Sequence, residues 1–442
     1  MKTPILKTLT LILTLSVSAL NVFADSDYTY WTNPGTGDWS EVSNWDNGVP
    51  TTESYPWNWA MITNGGTAVI NSGQVNYNDL DVGANDNAGT LLITGNGSAY
   101  AYYTSIRPSG IAVVSDHGYW EVDSSGYLDV HGALTITDSG MVKSGDSDST
   151  GSLLVNGSGY WRVATLGIGS GTISSLGTAG SLVITESGSV QSDYAAIGGS
   201  YYYQGIGTAS VSGSGHWETD GLSVHNDSTL TITDNGSVHS RDGANFGAGT
   251  VSISGNGRLD IDGELSVGGG WNNLVTLSGT VRADQVTLHD SIKAGSGGVV
   301  YEAGSFYADS SYFYTGGQTL RAGARIELNG MDLIYTGEAL LLEGAVDDLI
   351  FTEDFWVDFS QVTLADGQGY VIIDWTGLVA QNVQLDATFD AAGDVEGTFS
   401  VAGGQLVFNA TAVPEPATWF LSGAGLGILL LTMRFRRRNV QS

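Results

Sequence analysis

Between Asp25 and Val413 the apolar residues recur at every second position in runs of four or five, and each run ends at Gly, Ser, Asn or Asp. Leu230 and Ile232, for example, alternate with Thr before Asp234-Asn-Gly236. A spacing of two is the side-chain period of a β-strand, and the residues that end the runs are those that tolerate tight turns. Sustained helical periodicity is missing from this stretch. The pattern predicts an all-β chain of short strands joined by turns.

The runs repeat. Leu134-Thr-Ile-Thr-Asp-Ser-Gly-Met-Val-Lys-Ser144 returns with small changes from Leu182 to Ser192 and again from Leu230 to Ser240, so the copies start 48 residues apart. A second motif interleaves with the first: a strand, a Gly-x-Gly turn and a large apolar residue, at Leu154 to Trp161, Val211 to Trp217 and Ile253 to Leu259, with an earlier copy at Leu92 to Gly97 and a degenerate one at His117 to Trp120. Leu166-Gly-Ile-Gly169 and Ala196-Ile-Gly-Gly199 form a third. A fixed period of this size is the mark of a repeat architecture. Two coils of about 24 residues each, in a right-handed parallel β-solenoid (β-helix), fit a unit made of such short strands. Equivalent side chains would then stack about 4.8 Å apart, with Leu134, Leu182 and Leu230 facing inward. Residues 109–413 contain no proline. That suits strands paired on both sides, where proline would delete a ladder hydrogen bond.

Composition and charge narrow the class. The 442 residues include 63 Gly and no Cys, which removes disulfide scaffolds, thiolate metal clusters and Cys nucleophiles. Residues 25–413 hold nine basic side chains against 45 acidic ones, a net charge of −36. Such a body repels nucleic acid and anionic membrane, having no basic patch to neutralise phosphates.

The two flanks of the array differ from it. Trp31, Trp39, Trp45, Trp57 and Trp59 crowd residues 25–64. They read as an N-terminal cap closing the first coil rather than as carbohydrate-stacking rings, because an open solenoid end is an exposed edge. The array is expected over 65–346. A C-terminal β cap follows over 347–412, where Phe355 to Phe359, Tyr370 to Trp375, Val383 to Leu385 and Leu406 to Phe408 alternate more strongly.

The ends carry addresses. Lys2 and Lys7 precede the apolar run Leu9 to Val22, and Val22-Phe23-Ala24 offers a signal-peptidase site before Asp25, so residues 1–24 read as a signal peptide. Residues 417–433 are uncharged and apolar, long enough for one transmembrane helix, and Arg434, Arg436, Arg437 and Arg438 follow and hold the tail in the cytoplasm. Immediately before them stand Pro414, Glu415 and Pro416, whose prolines keep the chain extended outside the membrane. The order Pro-Glu-Pro, single apolar helix, Arg cluster over 413–438 resembles the PEP-CTERM sorting signal of Gram-negative bacteria. The resemblance implies an exosortase as partner, transient inner-membrane anchoring, removal of the helix, and a cell-surface or extracellular destination. The Trp-rich opening and the 48-residue unit resemble those shared by PEP-CTERM proteins and autotransporter passengers. No membrane-barrel block of alternating strands follows the body, which sets aside an autotransporter proper.

Chemistry is sparse. His117, His131, His216, His225, His239 and His289 are scattered, with no His-Glu-x-x-His, Gly-x-Ser-x-Gly or phosphate-loop string, and nothing calls for a cofactor. Asp260, Asp262 and Glu264 alternate along one strand, as do Asp79 and Asp81, so each set is expected on one solvated acidic face, unaccompanied by Lys or Arg. Asp146 and Asp148, in the turn from Ser144 to Gly151, offer oxygen ligands for Ca²⁺, although the glycine-aspartate nonapeptide of Ca²⁺-binding β-rolls is absent. Two functions compete. One is a non-enzymatic surface or matrix protein sorted by an exosortase and associated with exopolysaccharide or cell-surface glycan. The other is a carbohydrate-active β-helix enzyme, a lyase or hydrolase, or an adhesin. Regular repeats spread identical side chains evenly, whereas an active site needs one irregular cleft, which favours the first.

Overall fold

A computed structural model describes residues 28–52, 59–84, 87–169, 179–198, 205–268, 274–289, 291–309, 312–393 and 395–411. No helix among them is long and apolar enough to cross a membrane. The signal peptide and the expected transmembrane helix 417–433 lie outside the described residues.

The described chain is all-β apart from one short 3-10 turn at Val42–Asn44, and its strands pair in parallel from Tyr28 to Ala392. One coil shows the plan. Ala133–Ile136, Met141–Ser144 and Ser147–Ser149 form three sides, and each pairs in register with the coil above, at Ser152–Val155 and along Tyr160–Ile168. Parallel neighbours one coil apart satisfy each other's backbone groups, so the stack is a β-solenoid built of such three-sided coils.

The inward rows confirm the expected register. Ala112, Leu134, Leu153, Leu182, Ala209, Leu230, Val251 and Leu277 are successive partners along one side, and all are buried. From Leu134 to Leu230 the steps are 19, 29, 27 and 21 residues, so each 48-residue unit is indeed two coils, of unequal length. The two interleaved motifs turn out to be one structural element. Both are the strand-turn-strand of a coil, occupied alternately by the Thr-Asp-Ser-Gly and the Gly-x-Gly version.

From Asp138 onward the turn alternates between an acidic residue and glycine. Its second residue is left-handed in these coils, and from Asp138 along the stack that position reads Asp138 (φ 54°), Gly157 (59°), Glu186 (57°), Gly213 (62°), Asp234 (55°) and Gly255 (65°). A Cβ on Gly157 would lie 2.7 Å from the Asp138 backbone nitrogen, so glycine avoids a clash there, whereas one coil earlier Asp116 (φ 52°) and Asp138 both carry side chains at this position on neighbouring coils. The next acid in turn accepts a hydrogen bond from the glycine amide below it, as Glu186 Oε2 does from Gly157 N at 2.9 Å. On the following strand the inward row alternates too, Trp120, Val142, Trp161, Val190, Trp217, Val238, a large ring over a small residue.

The ends depart from the expected boundaries. Tyr28–Tyr30 and Thr36–Asp38 already pair in parallel with Trp59–Ile62 and Thr67–Ile70, so the stretch expected as a separate cap is itself the first coil. Within it Trp31, Trp39 and Trp45 are buried against one another, with ring centroids 5.1 and 4.8 Å apart, and the Trp45 indole donates to Trp39 O at 2.8 Å. These three rings plug the end of the core; Trp57 lies outside the described residues. At the other end the parallel stack continues past Val346 to Ala392, and only the antiparallel pair Gly397–Ala402 and Gln405–Ala410 folds back, packing Phe408 on Phe359 at 4.5 Å.

Candidate functional site

The residues assigned to sorting, Pro414, Glu415, Pro416, Arg434, Arg436, Arg437 and Arg438, all lie outside the described residues. What the structure positions is the outer surface of the solenoid, where a side chain's neighbours are one coil away rather than nearby in sequence.

That geometry overturns the picture of an unaccompanied acidic face at Asp260, Asp262 and Glu264. Leu259 and Ile261 point inward, and the chain then turns a corner at Gly263 (φ 82°), so Asp260 and Glu264 stand on different sides. Each finds its own partner. Asp260 meets Arg258 at 2.9 Å and Arg282 at 3.8 Å, Asp262 meets His239 at 3.0 Å, and Glu264 accepts from Thr287 at 2.5 Å. Asp260 in fact starts a ladder of alternating sign, Asp260–Arg282–Glu302–Arg321–Glu343, with links of 3.8, 2.9, 2.7 and 2.8 Å. Every basic residue of the body is engaged in this way. Arg107, Lys143, Arg162, Arg241 and Arg325 pair with carboxylates, while Lys293 sits 5.5 Å above the Tyr314 ring. The sequence does hold the signal, as opposite charges spaced by one coil, but the coil length has to be known before it can be read.

Asp79 and Asp81 are not solvated either. They are 4% and 6% exposed, although their side chains lie on the outer side of Asp79–Val82. The cause is the coil on either side. Trp59 precedes Asp79 in register and Tyr103 follows it, and the two rings lean together across it with centroids 6.1 Å apart. Asp81 is paired with Arg107 at 3.0 Å. Burial, together with the neighbouring Asp81, holds the Asp79 carboxyl above the usual carboxylate range. The Tyr103 hydroxyl, half-buried and donating to Asp129 at 2.7 Å, is pushed up as well. Ser105, in register between Asp81 and Asp129, is fully buried with an unpartnered hydroxyl.

Five of the six histidines have a local partner or a buried setting. His131 bonds Thr150, His216 bonds Ser237, His239 meets Asp262 and His289 meets Asp309, while burial lowers His225. Asp146 and Asp148 flank Ser147, which turns inward and donates to Leu128 O at 2.7 Å. Among the described residues no three carboxylates or imidazoles gather as a metal site would require.

The feature that the sequence alone does not reveal is aromatic. Tyr28 and Trp59 are register partners, as are Tyr103 and Tyr127, and these outward rings form one row interrupted only by the covered Asp79. They are far apart in sequence and become neighbours only through the coil geometry.

No protein-family model matches the chain, and no curated protein matches it. Among solved structures it is similar to the crystal structure of the TibC-catalysed hyper-glycosylated TibA55-350 fragment, at 13% identity and a TM-score of 0.35, over 81% of this chain and 98% of that one. A TM-score of 0.35 carries neither fold nor function across.

Proposed function

We propose that the chain is an exported, non-enzymatic structural protein of the cell surface or extracellular matrix. In this reading signal peptidase removes residues 1–24, an exosortase recognises Pro414-Glu415-Pro416 and the Arg cluster, and the released right-handed β-helix associates with exopolysaccharide. The observation that supports it is the continuity of the stack. From Tyr28 to Ala392 parallel coils follow one another, and the carboxylates singled out above are divided among separate partners instead of converging. A rod with a regular charged surface suits a matrix component, and its net charge keeps it soluble during export. Intact-mass measurement on protein from the native host tests the sorting. The expected mass lacks the residues before Asp25 and those after about Pro416, and a mass that retains the Arg-rich tail overturns it.

A second reading, a carbohydrate-active enzyme, draws on Asp79, whose carboxyl is raised beside a second carboxylate, the arrangement of an acid and its partner in glycoside cleavage. New reducing ends or unsaturated uronates released from a polysaccharide panel would favour it over the structural reading.

A further inference from the structure

We propose that the outer side of the first coils, around Trp59, Tyr103 and Tyr127, is a binding platform for neutral pyranose units of a glycan chain. The proposal rests on the surface-glycan reading above and names the part of the surface that makes the contact.

The rings are gathered, exposed and held in place. Tyr28, Tyr30 and Tyr127 are 41%, 40% and 50% exposed, and Trp59 and Tyr103 are half-buried between them. Tyr28 lies 6.1 Å from Trp59, and Trp59 lies 6.1 Å from Tyr103. Each is fixed to a paired strand, so little freedom is lost when a ligand settles on them.

This aromatic run is local. Farther along the same outward row stand Thr165, Tyr194, Gly221, Gly243, Glu264, Gln285 and Ser305, where Tyr194 is a single ring with no aromatic neighbour in the row, so a solenoid side does not need a run of rings there. Nor do these rings plug the end of the core, a task carried by Trp31, Trp39 and Trp45.

The chemistry around the rings selects the ligand. A pyranose has an apolar C–H face with a rim of hydroxyls, and this surface has ring faces with a rim of Tyr103 hydroxyl, Asp129, Arg107 and Asp81. Amphipathic aromatic rings suit a partner that is apolar on its face and polar at its edge. The cation at the rim, Arg107, is already paired with Asp81. With Asp129 beside it and a body of −36, the platform disfavours uronates and other anionic sugars.

Affinity gel electrophoresis of the exported protein as isolated tests this, with gels containing a neutral β-glucan, a neutral galactomannan or alginate. Retardation by at least one neutral glycan and none by alginate is expected. Trp59→Ala should weaken the neutral interaction about tenfold or more, equal to about 1.4 kcal/mol. Tyr194→Ala, on the same row outside the platform, should bind as the native chain does. Because Trp59 also covers Asp79, Tyr127→Ala provides a second variant at a half-exposed ring, with the same direction expected. No retardation by either neutral glycan, retardation by alginate alone, or undiminished binding by both platform variants overturns the proposal. Binding in the gel does not depend on where the cell sends the protein, so a failure of the sorting measurement would leave this result standing.

Discussion

Trp161 donates its indole N–H to Ser144 Oγ at 3.1 Å, tying one coil of the solenoid to the coil before it. Trp217 does the same to Ser192 at 3.2 Å. In both cases the ring lies in register with a valine, Val142 or Val190, and reaches the serine two residues farther along. All four polar partners are buried, so the bond compensates groups that water cannot reach.

Removing one side of that pair leaves the other unsatisfied. Ser144→Ala should destabilise by about 1–3 kcal/mol, whereas combining it with Trp161→Phe should cost less than the sum of the two single changes. Hydrogen exchange at the amides of Met141–Ser144 and Tyr160–Ile168 reads the effect locally, which suits a long array that does not unfold as one unit. Strict additivity would contradict the assignment.

Trp120 tests the same rule from the opposite side. Its register partner is Ala99, and Ala101 stands where Ser144 and Ser192 stand in the other coils. The buried Trp120 indole N–H is left without a hydrogen bond of good geometry, the nearby Tyr77 hydroxyl included. Ala101→Ser should therefore stabilise by about 1 kcal/mol, visible as a raised thermal midpoint. A lowered midpoint would mean that the serine does not reach the ring.

The alternation at the turn predicts an asymmetry between two substitutions. Gly157→Asp forces a Cβ against the Asp138 backbone and places like charges on four successive coils, Asp116, Asp138, position 157 and Glu186. It should cost more than about 2 kcal/mol. Glu186→Gly removes an exposed carboxylate from the Gly157 amide and should cost less than about 1 kcal/mol. Denaturation of the two variants side by side checks the order, and equal costs would contradict it.

How much of this was legible in the sequence depended on range. The strand period, the stacking of Leu134, Leu182 and Leu230 and the two-coil unit follow from local alternation and a fixed spacing, both visible in one dimension. The acidic groups were misread because the neighbours that matter to them, Arg282 for Asp260, or Trp59 and Tyr103 for Asp79, lie one coil away. Those distances vary with insertions, as the steps of 19, 29, 27 and 21 residues show. The cap boundaries were missed for a related reason. Tyr28–Tyr30 and Gly369–Ala392 carry none of the repeat's glycine turns, yet still pair in parallel.

Asp79 makes stability depend on pH in a defined direction. Its carboxyl is held above the usual range in the folded chain, so its favourable contribution is present at acid pH and lost as pH rises through that raised value. Asp79→Asn should melt higher than the native chain at pH 7, and the advantage should shrink as pH falls toward 4. Thermal melts across that window check the sign. An Asn variant that is less stable at pH 7 would show that the ionised carboxylate is needed in place.

The ladder of alternating charge is exposed enough for salt to screen. Arg321 stands between Glu302 at 2.7 Å and Glu343 at 2.8 Å, and Arg321→Glu would line up three like charges on adjacent coils. The loss should be up to about 1 kcal/mol at low ionic strength and should shrink in high salt, where the screening length falls to about 3 Å at 1 M. A loss that does not respond to salt would point to packing instead.

The account depends above all on the 48-residue unit being two coils, and the absence of Cys makes that directly measurable. On one outer row Lys143, Arg162 and Gln191 are successive register partners, so Lys143 and Gln191, equivalent in the sequence repeat, are separated by a whole coil. A disulfide needs Cα atoms about 4.4–6.8 Å apart, which suits one coil spacing of about 4.8 Å and excludes two. Oxidation should therefore cross-link the pair Lys143→Cys with Arg162→Cys within one chain, and leave Lys143→Cys with Gln191→Cys as free thiols. Cross-linking of the 143–191 pair with none at 143–162 would mean that one coil spans 48 residues, and the rows described here would not exist.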